Sequence, residues 1–174
     1  VAFSYGALIY LVSGWHNDGN TKAVQIYDTK TDTWSRASDY PGTPVFGHAG
    51  GLVDRAIVII GGVTAEKLPT GKNKYAASEE GWFGEIDERD PKVIRWLPLR
   101  APPVEPRYRI AAVGNKALEA VVFSGGAANP YNYNGVGYDK NPSAASNAVF
   151  SLDVLTGQWR VYPRKARATM DHRG

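Results

Sequence analysis

The sequence predicts an all-β chain of about three four-stranded antiparallel units, and three observations carry that prediction. A short apolar run closed by small residues occurs three times, at Leu8–Gly14, Ala56–Gly62 and Ala120–Gly126. Each run is followed by an Asp and, six residues later, by a Trp: Asp28 and Trp34, Asp90 and Trp96, Asp153 and Trp159. Both series advance by 62 and then 63 residues. Self-similarity at a fixed period marks a repeat architecture in which each unit is one supersecondary element.

The elements follow in order. Apolar runs of this length, rich in Val, Ile and Phe and bounded by Gly, read as buried strands. The closing pair, Ser13-Gly14, Gly61-Gly62 or Gly125-Gly126, lets the chain leave the sheet at positive φ or at close backbone approach. In the middle unit the strands are placed near His48–Val53, Ala56–Ile60, Phe83–Arg89 and Arg95–Leu97. Between the third and fourth strands the Asp accepts from turn amides, helped by Thr31, Pro91 and Gly157. The Trp opens the fourth strand. Its area, up to about 250 Å², makes it a packing wedge between neighbouring sheets. The units are bounded near 1–36, 48–98 and 109–162, and 168–174 starts a further one.

The order apolar-Gly-Gly, Tyr27-Asp28 and x5-Trp34 resembles the kelch repeat, whose units are four-stranded blades of a β-propeller. The likeness covers nearly the whole chain as about three blades. Ser13 departs from the pattern, as do Arg89 and Leu152 in the place of Tyr27, and the later units exceed the roughly 50 residues usual for kelch. Three blades cannot close a ring, so the sequence reads as part of a longer propeller whose remaining blades lie outside it. The distance from the Gly pair to the Asp is 14, 28 and 27 residues, whereas Trp to the next pair is 28 and 30. The extra length is therefore assigned to the connection from second to third strand. Alternating strand direction puts the long segments 63–81 and 127–147 on one face with 38–47 and 99–107.

Composition narrows the classes. The chain is 43% hydrophobic and 21% charged, which fits neither disorder nor a membrane span, and no apolar run nears the roughly 20 residues that a helix needs to cross a bilayer. Without cysteine there is no disulfide and no thiolate metal site. Copper oxidases that share the kelch propeller need a Cys-crosslinked Tyr, which these residues cannot form. A net charge of +3 is small, and the cluster Arg160, Arg164, Lys165, Arg167 reads as a solvated loop, so no nucleic-acid partner is expected. The sequence does not fix a compartment.

Candidate ligand-binding residues are few. His16, His48 and His172 are the only histidines, and their places in the repeat put all three near the mouth of the central channel. No His-x-His or His-x3-His spacing supports a metal, and no cofactor is implied. Arg107, Tyr108 and Arg109 open an inner strand, with Arg167 taken as the counterpart of Arg107 one blade later. Arg there offers a planar fork of donors to an anion or sugar carboxylate, or an inter-blade bond. Tyr131, Tyr133 and Tyr138 punctuate a loop rich in Asn and Gly, a mixture of flat amphipathic area and adaptable hydrogen bonding suited to recognition. Glu66, Glu79, Glu80, Glu85 and Asp87 show no spacing that fixes an acid–base pair. The residues thus point to a scaffold that binds a protein or carbohydrate through long loops on one face. The resemblance implies an alternative, a carbohydrate-active enzyme like the kelch-type sialic-acid mutarotases, acting at the channel mouth. Fold alone does not choose between them.

Overall fold

The structure, a computed structural model, describes residues 1–17 and 19–172. Arg173 and Gly174, the end of the further unit expected from the sequence, lie outside the described residues. In chain order, β1 (Ala2–Tyr5) and β2 (Leu8–Val12) lead to a minute hairpin, β3 (Trp15–His16) with β4 (Gly19–Asn20), then to β5 (Val24–Asp28) and β6 (Thr33–Arg36). The second unit holds β7 (Ala49–Val53), β8 (Ala56–Ile60), an accessory hairpin β9 (Val63–Lys67) with β10 (Asn73–Ala77), β11 (Gly81–Ile86) and β12 (Ile94–Pro98). The third holds β13 (Ala111–Asn115), β14 (Ala120–Ser124), β15 (Val149–Asp153) and β16 (Trp159–Val161), with one 3-10 turn at Lys116–Leu118. Each unit folds as a four-stranded antiparallel meander, ordered β1-β2-β5-β6, β7-β8-β11-β12 and β13-β14-β15-β16. These are three blades of a partial propeller.

The core lies between blades rather than within them. Phe3, Tyr10, Val12 and Ile26 of blade 1 pack on Ile57, Ile59 and Ile86 of blade 2. Val58 and Ile60 of blade 2 pack on Val121, Phe123, Phe150 and Leu152 of blade 3. Successive side chains of a strand point to opposite faces. Hence β8 sends Ile57 and Ile59 to one neighbour and Val58 and Ile60 to the other. That double burial is why the run is continuously apolar instead of alternating.

The small-residue pairs behave as the sequence indicates. Gly61 and Gly62 have φ of 67° and 86°, Gly125 and Gly126 both have 78°. A β-carbon on Gly61 would sit 2.4 Å from the carbonyl oxygen of Arg107. Ser13 adopts φ 53°, and its hydroxyl explains why it is tolerated: Oγ donates to the Thr21 carbonyl at 2.8 Å, while the Val45 amide donates to Oγ at 3.2 Å.

The Asp-to-Trp phrase is only partly a structural repeat. Trp34, Trp96 and Trp159 do occupy equivalent positions, opposite Tyr27, Gly84 and Leu152. Asp28 and Asp153 also match, lying opposite Leu8 and Ala120, the first residues of their second strands. Asp90 does not. The residue opposite Ala56 is Glu85, so Glu85 stands where the other blades carry Asp. The turn is capped first by Asp87, whose Oδ1 accepts from the amides of Arg89 and Asp90 at 2.9 and 3.1 Å, and then by Asp90, which accepts from the Lys92 amide at 3.0 Å. Asp28 and Asp153 accept from their own second and third following amides in the same way. The predicted third strand, Phe83–Arg89, accordingly ends earlier, at Ile86.

The excess length of blade 2 is therefore not confined to one connection, as the counts suggested. Part of it widens the β11–β12 hairpin, which reaches back to blade 1. Tyr10 donates its hydroxyl proton to the Pro91 carbonyl at 2.8 Å, and the Ser38 amide donates to that of Lys92 at 2.8 Å. An insertion here has become an inter-blade clasp.

The indoles share one orientation, each turned toward the preceding blade. Trp96 packs into the core shared with blade 1, with Tyr40 at 5.8 Å. Trp159 packs near Phe123 and Phe150, and its Nε1 donates to the Arg100 carbonyl at 2.9 Å. No blade of this chain lies on that side of Trp34, which is 59% exposed and rests on Tyr27.

Candidate functional site

The long connections from second to third strand and the links between blades lie on one face, whereas the widened β11–β12 hairpin belongs to the other end of its blade. Phe46, just ahead of β7, bridges Val63 at the start of the accessory hairpin, and Tyr108 bridges Ala127. Asn20 donates from Nδ2 to the carbonyls of Pro44 and Val63, joining the hairpin of blade 1 to that of blade 2. These links come from adjacent blades meeting where their loops emerge. They make three separate loops into one surface.

Aromatic rings run across it. Trp15 meets Phe46 edge-on at 5.4 Å, and Phe46 meets Tyr75 at 6.1 Å. Tyr75 stacks on Tyr138 at 4.0 Å with 22° between planes. A second branch goes inward from Phe46 to Tyr108 at 5.7 Å and on to Tyr131 at 5.2 Å. Edge-to-face and offset pairs at these distances each add about 0.5–1.5 kcal/mol to area burial. The 127–147 loop is stiffened further by Asp139. Its carboxylate accepts from Asn129 Nδ2 at 3.0 Å and from both the amide and the side chain of Asn141 at 3.0 and 2.9 Å. Those hydrogen bonds hold its acid down at about 2.

The structure divides the candidate residues into three settings. Tyr108 and Tyr131 are buried supports of the face, not contact surface. As covered rings they brace the loops from beneath rather than adding exposed area. Burial raises both phenols above the ordinary tyrosine value, for Tyr131 with the Asp171 charge adding. Tyr133 is 90% exposed, and Trp15 is 49% exposed. His16 is exposed beside Trp15 on the same hairpin, and Tyr138 is half-buried. These outward residues are the ones the solvent meets.

The third setting is the axial mouth, a cavity of about 750 Å³ lined by His48, Arg109, His172 and the starts of the inner strands. Gly47, Arg109 and Asp171, at a 62-residue step, all have positive φ, at 60°, 49° and 66°. The Arg109 amide donates to the Gly47 carbonyl at 2.8 Å, and the His172 amide to the Arg109 carbonyl at 3.2 Å. The blades are thus chained at the axis. Arg109 Nη1 pairs with Asp171 Oδ1 at 2.7 Å while its guanidinium lies 4.7 Å from the centre of the Tyr108 ring. The Thr169 hydroxyl and His172 Nε2 share a hydrogen bond of 2.9 Å. Arg107 does not line this cavity. It turns into the seam between blades 2 and 3 and bonds Glu105 at 3.0 Å. The same 62-residue step carries Arg107 to Thr169, so the pairing of Arg107 with Arg167 is corrected by two positions.

His48 is buried, and its Nε2–H donates to the Val12 carbonyl at 2.9 Å. Burial pushes its imidazole down to about 3. The unfolded chain binds this proton below about pH 6.5, the ordinary histidine value, and the folded chain does not until far lower pH. Stability should therefore fall as pH drops from 6.5 toward 5, by up to about 1.4 kcal/mol per pH unit from this group. Denaturant melts at pH 7 and pH 5 check it. His48→Gln should lose less stability across that interval than the parent, and equal losses would count against the assignment. Lowered carboxylates such as Asp28 and Asp153 contribute in the same direction only below this window.

Sequence reasoning passed over Trp15, Phe46, Tyr75 and Asp171. A signal did exist for two of them. Phe46, Tyr108 and Met170 recur at a 62-residue step and meet in one apolar cluster beside Tyr131, one residue before each positive-φ position. Trp15 and Tyr75 lie in hairpins of unequal length, where no period applies. Among the described residues no cluster of three or more His, Asp or Glu could hold a metal ion, and no helix is long and apolar enough to cross a membrane.

No family model matches the chain. It is similar to two proteins named Kelch-like protein 25, from Xenopus laevis and Homo sapiens, at 26% identity over 125 residues in each case. The match spans 71% of this chain and about a fifth (20%) of each relative. Among solved structures, that of YjhT superimposes with a TM-score of 0.69 at 14% identity, over 97% of this chain and 56% of its own. A copper-complexed fungal alcohol oxidase of the AA5 family superimposes at 0.63 with 15% identity, over 96% of this chain and 31% of its own. At such identities the structural likeness carries the fold alone.

Proposed function

From a chain that consists of kelch-type propeller blades, we propose a non-covalent binding module that holds a carbohydrate or protein ligand on its long-loop face. One observation carries the reading. Loops from three successive blades are tied by ring contacts through Phe46, Tyr75 and Tyr138 into a single surface that exposes Trp15, set against the partly buried Phe46, and Tyr133, on the same loop as Tyr138. A flat ring held in place loses little entropy on binding, and Trp and Tyr are the residues most often found to dominate interface energetics. Asn132 and Asn134 beside Tyr133 are exposed and supply adaptable donors and acceptors.

The mouth of the channel supports catalysis less well. A proton-transfer role asks for a group near its working pKa and free to move a proton. His48 is engaged and shifted far down, while Arg109 is paired with Asp171. Rings on the outer loops, by contrast, have no internal task that explains their exposure.

The test uses the full chain against an oligosaccharide array and a displayed peptide library. Hits are then measured by calorimetry with Trp15→Ser and Tyr133→Ser. Each variant should weaken a hit by about tenfold or more, the scale of a moderate aromatic hot spot. Undiminished affinity in the double variant would overturn the reading, as would the absence of any hit in both screens. Deleting the segment 131–138 is a poor test, because it removes the buried Tyr131 along with the surface.

A further inference from the structure

We propose a second, independent ligand site in the seam between blades 2 and 3, built to take a compact, neutral, apolar group that carries one hydrogen-bond acceptor. The seam holds a cavity of about 140 Å³ walled by Ile60, Phe150, Pro102 and Val104, with Arg107 beside them. That volume is close to the roughly 150 Å³ of an engineered apolar cavity that accepts benzene.

The walls are fixed by the chain itself. Pro102 and Pro106 have locked φ and no amide proton. Ile60 and Phe150 belong to the core between the two blades. The Arg107 side chain, which also lines the cavity, is only 11% exposed. Its Nη2 is bonded to Glu105, and its Nε is buried with no partner among the described residues. A buried donor of a charged group left unbonded carries a desolvation cost that no protein partner offsets. An occupant with one carbonyl or ether oxygen would recover that cost while its apolar body fills the cavity.

The charge at the opening selects against anions. Glu79 and Glu105 both line the site, so one guanidinium is set against two carboxylates. A carboxylate ligand would meet net repulsion and duplicate what Glu105 already supplies to Arg107. A neutral acceptor meets neither objection. The site is separated by chemistry from the exposed rings of Trp15 and Tyr133 and does not depend on the binding reading above.

The experiment is an NMR titration of the full chain with cyclopentanone as probe and cyclopentanecarboxylate as its anionic match. The Nε–Hε resonance of Arg107 is the reporter, assigned by its loss in Arg107→Lys. Cyclopentanone should shift that resonance saturably, and the carboxylate should bind at least about tenfold more weakly, as expected of like charges at a partly buried mouth. Val104→Trp, which fills the cavity from its outer wall, should abolish the shift. Glu105→Gln should narrow the preference for the neutral probe. A resonance that does not saturate, as for a seam that holds only water, would overturn the proposal. So would equal response in Val104→Trp, or tighter binding of the carboxylate by the parent chain.

Discussion

Replacing Gly114 with valine is expected to cost the chain more than about 3 kcal/mol, a large fraction of the roughly 5–15 kcal/mol that stabilises an ordinary domain. Gly114 lies in β13, and a β-carbon built there falls 1.9 Å from the carbonyl oxygen of Leu52 in β7. Its own φ is not in the left-handed region, so the requirement is space, not conformation. The reason is geometric: inner strands of successive blades converge at the axis, and at this point backbone meets backbone. Gly51 is the reciprocal residue, since a β-carbon on it would lie 2.7 Å from the Gly114 amide nitrogen. No side chain can rotate away to relieve such a clash. Gly71→Ala is the control. Gly71 has φ +77° with nothing within 4 Å, so only backbone strain of about 1–2 kcal/mol applies. Urea melts of the two variants should separate widely. A Gly114→Val chain no less stable than Gly71→Ala would refute the account.

Trp96→Ala is expected to cost about 3–4 kcal/mol, within the range for truncating a large core aromatic. The indole lies on Gly84, whose missing side chain makes room for it: a β-carbon there would sit 2.6 Å from the ring. It meets Tyr40 edge-on, and Tyr40 in turn meets Trp82 at 6.3 Å. Removing the indole therefore opens a void between blades 1 and 2 that Gly84 cannot fill. Trp96 Nε1 is buried without a partner among the described residues. Trp96→Phe, which deletes that unbonded donor and keeps most of the ring, should cost less than half as much as alanine. Trp34→Ala should cost below about 1 kcal/mol, because that indole is mostly in solvent. Near-equal losses at the two tryptophans would contradict the inter-blade role.

The blade pattern was readable because its cause is local and periodic. Strands buried on both sides must be apolar throughout, and small residues must follow where the chain turns, so Ala56–Gly62 and Ala120–Gly126 announce themselves. The Trp series carried real register. The Asp series misled at one place, because Asp90 sits six residues before Trp96 only through a widened hairpin, while Glu85 holds the structural position. Counting along the chain cannot separate a lengthened turn from a lengthened loop. Pairing can. The candidate site was less legible for a related reason. Arg109 opposite Asp171 and Tyr75 on Tyr138 join residues 62 and 63 positions apart across blades. Nothing in either local stretch says that they meet. Whether a tyrosine such as Tyr131 faces solvent or core depends equally on its neighbours from another blade.

The two-sided β8 has a consequence for how the chain can change. A substitution at Ile57 is judged by one neighbour and at Val58 by the other, so no blade's midline can drift to suit a single partner. Freedom to vary collects instead at the rims, where a lengthened turn such as the one around Asp87–Lys92 could be captured as a new clasp without disturbing anything beneath it. Diversification in such an array is confined to its perimeter by the interlocking of its middle.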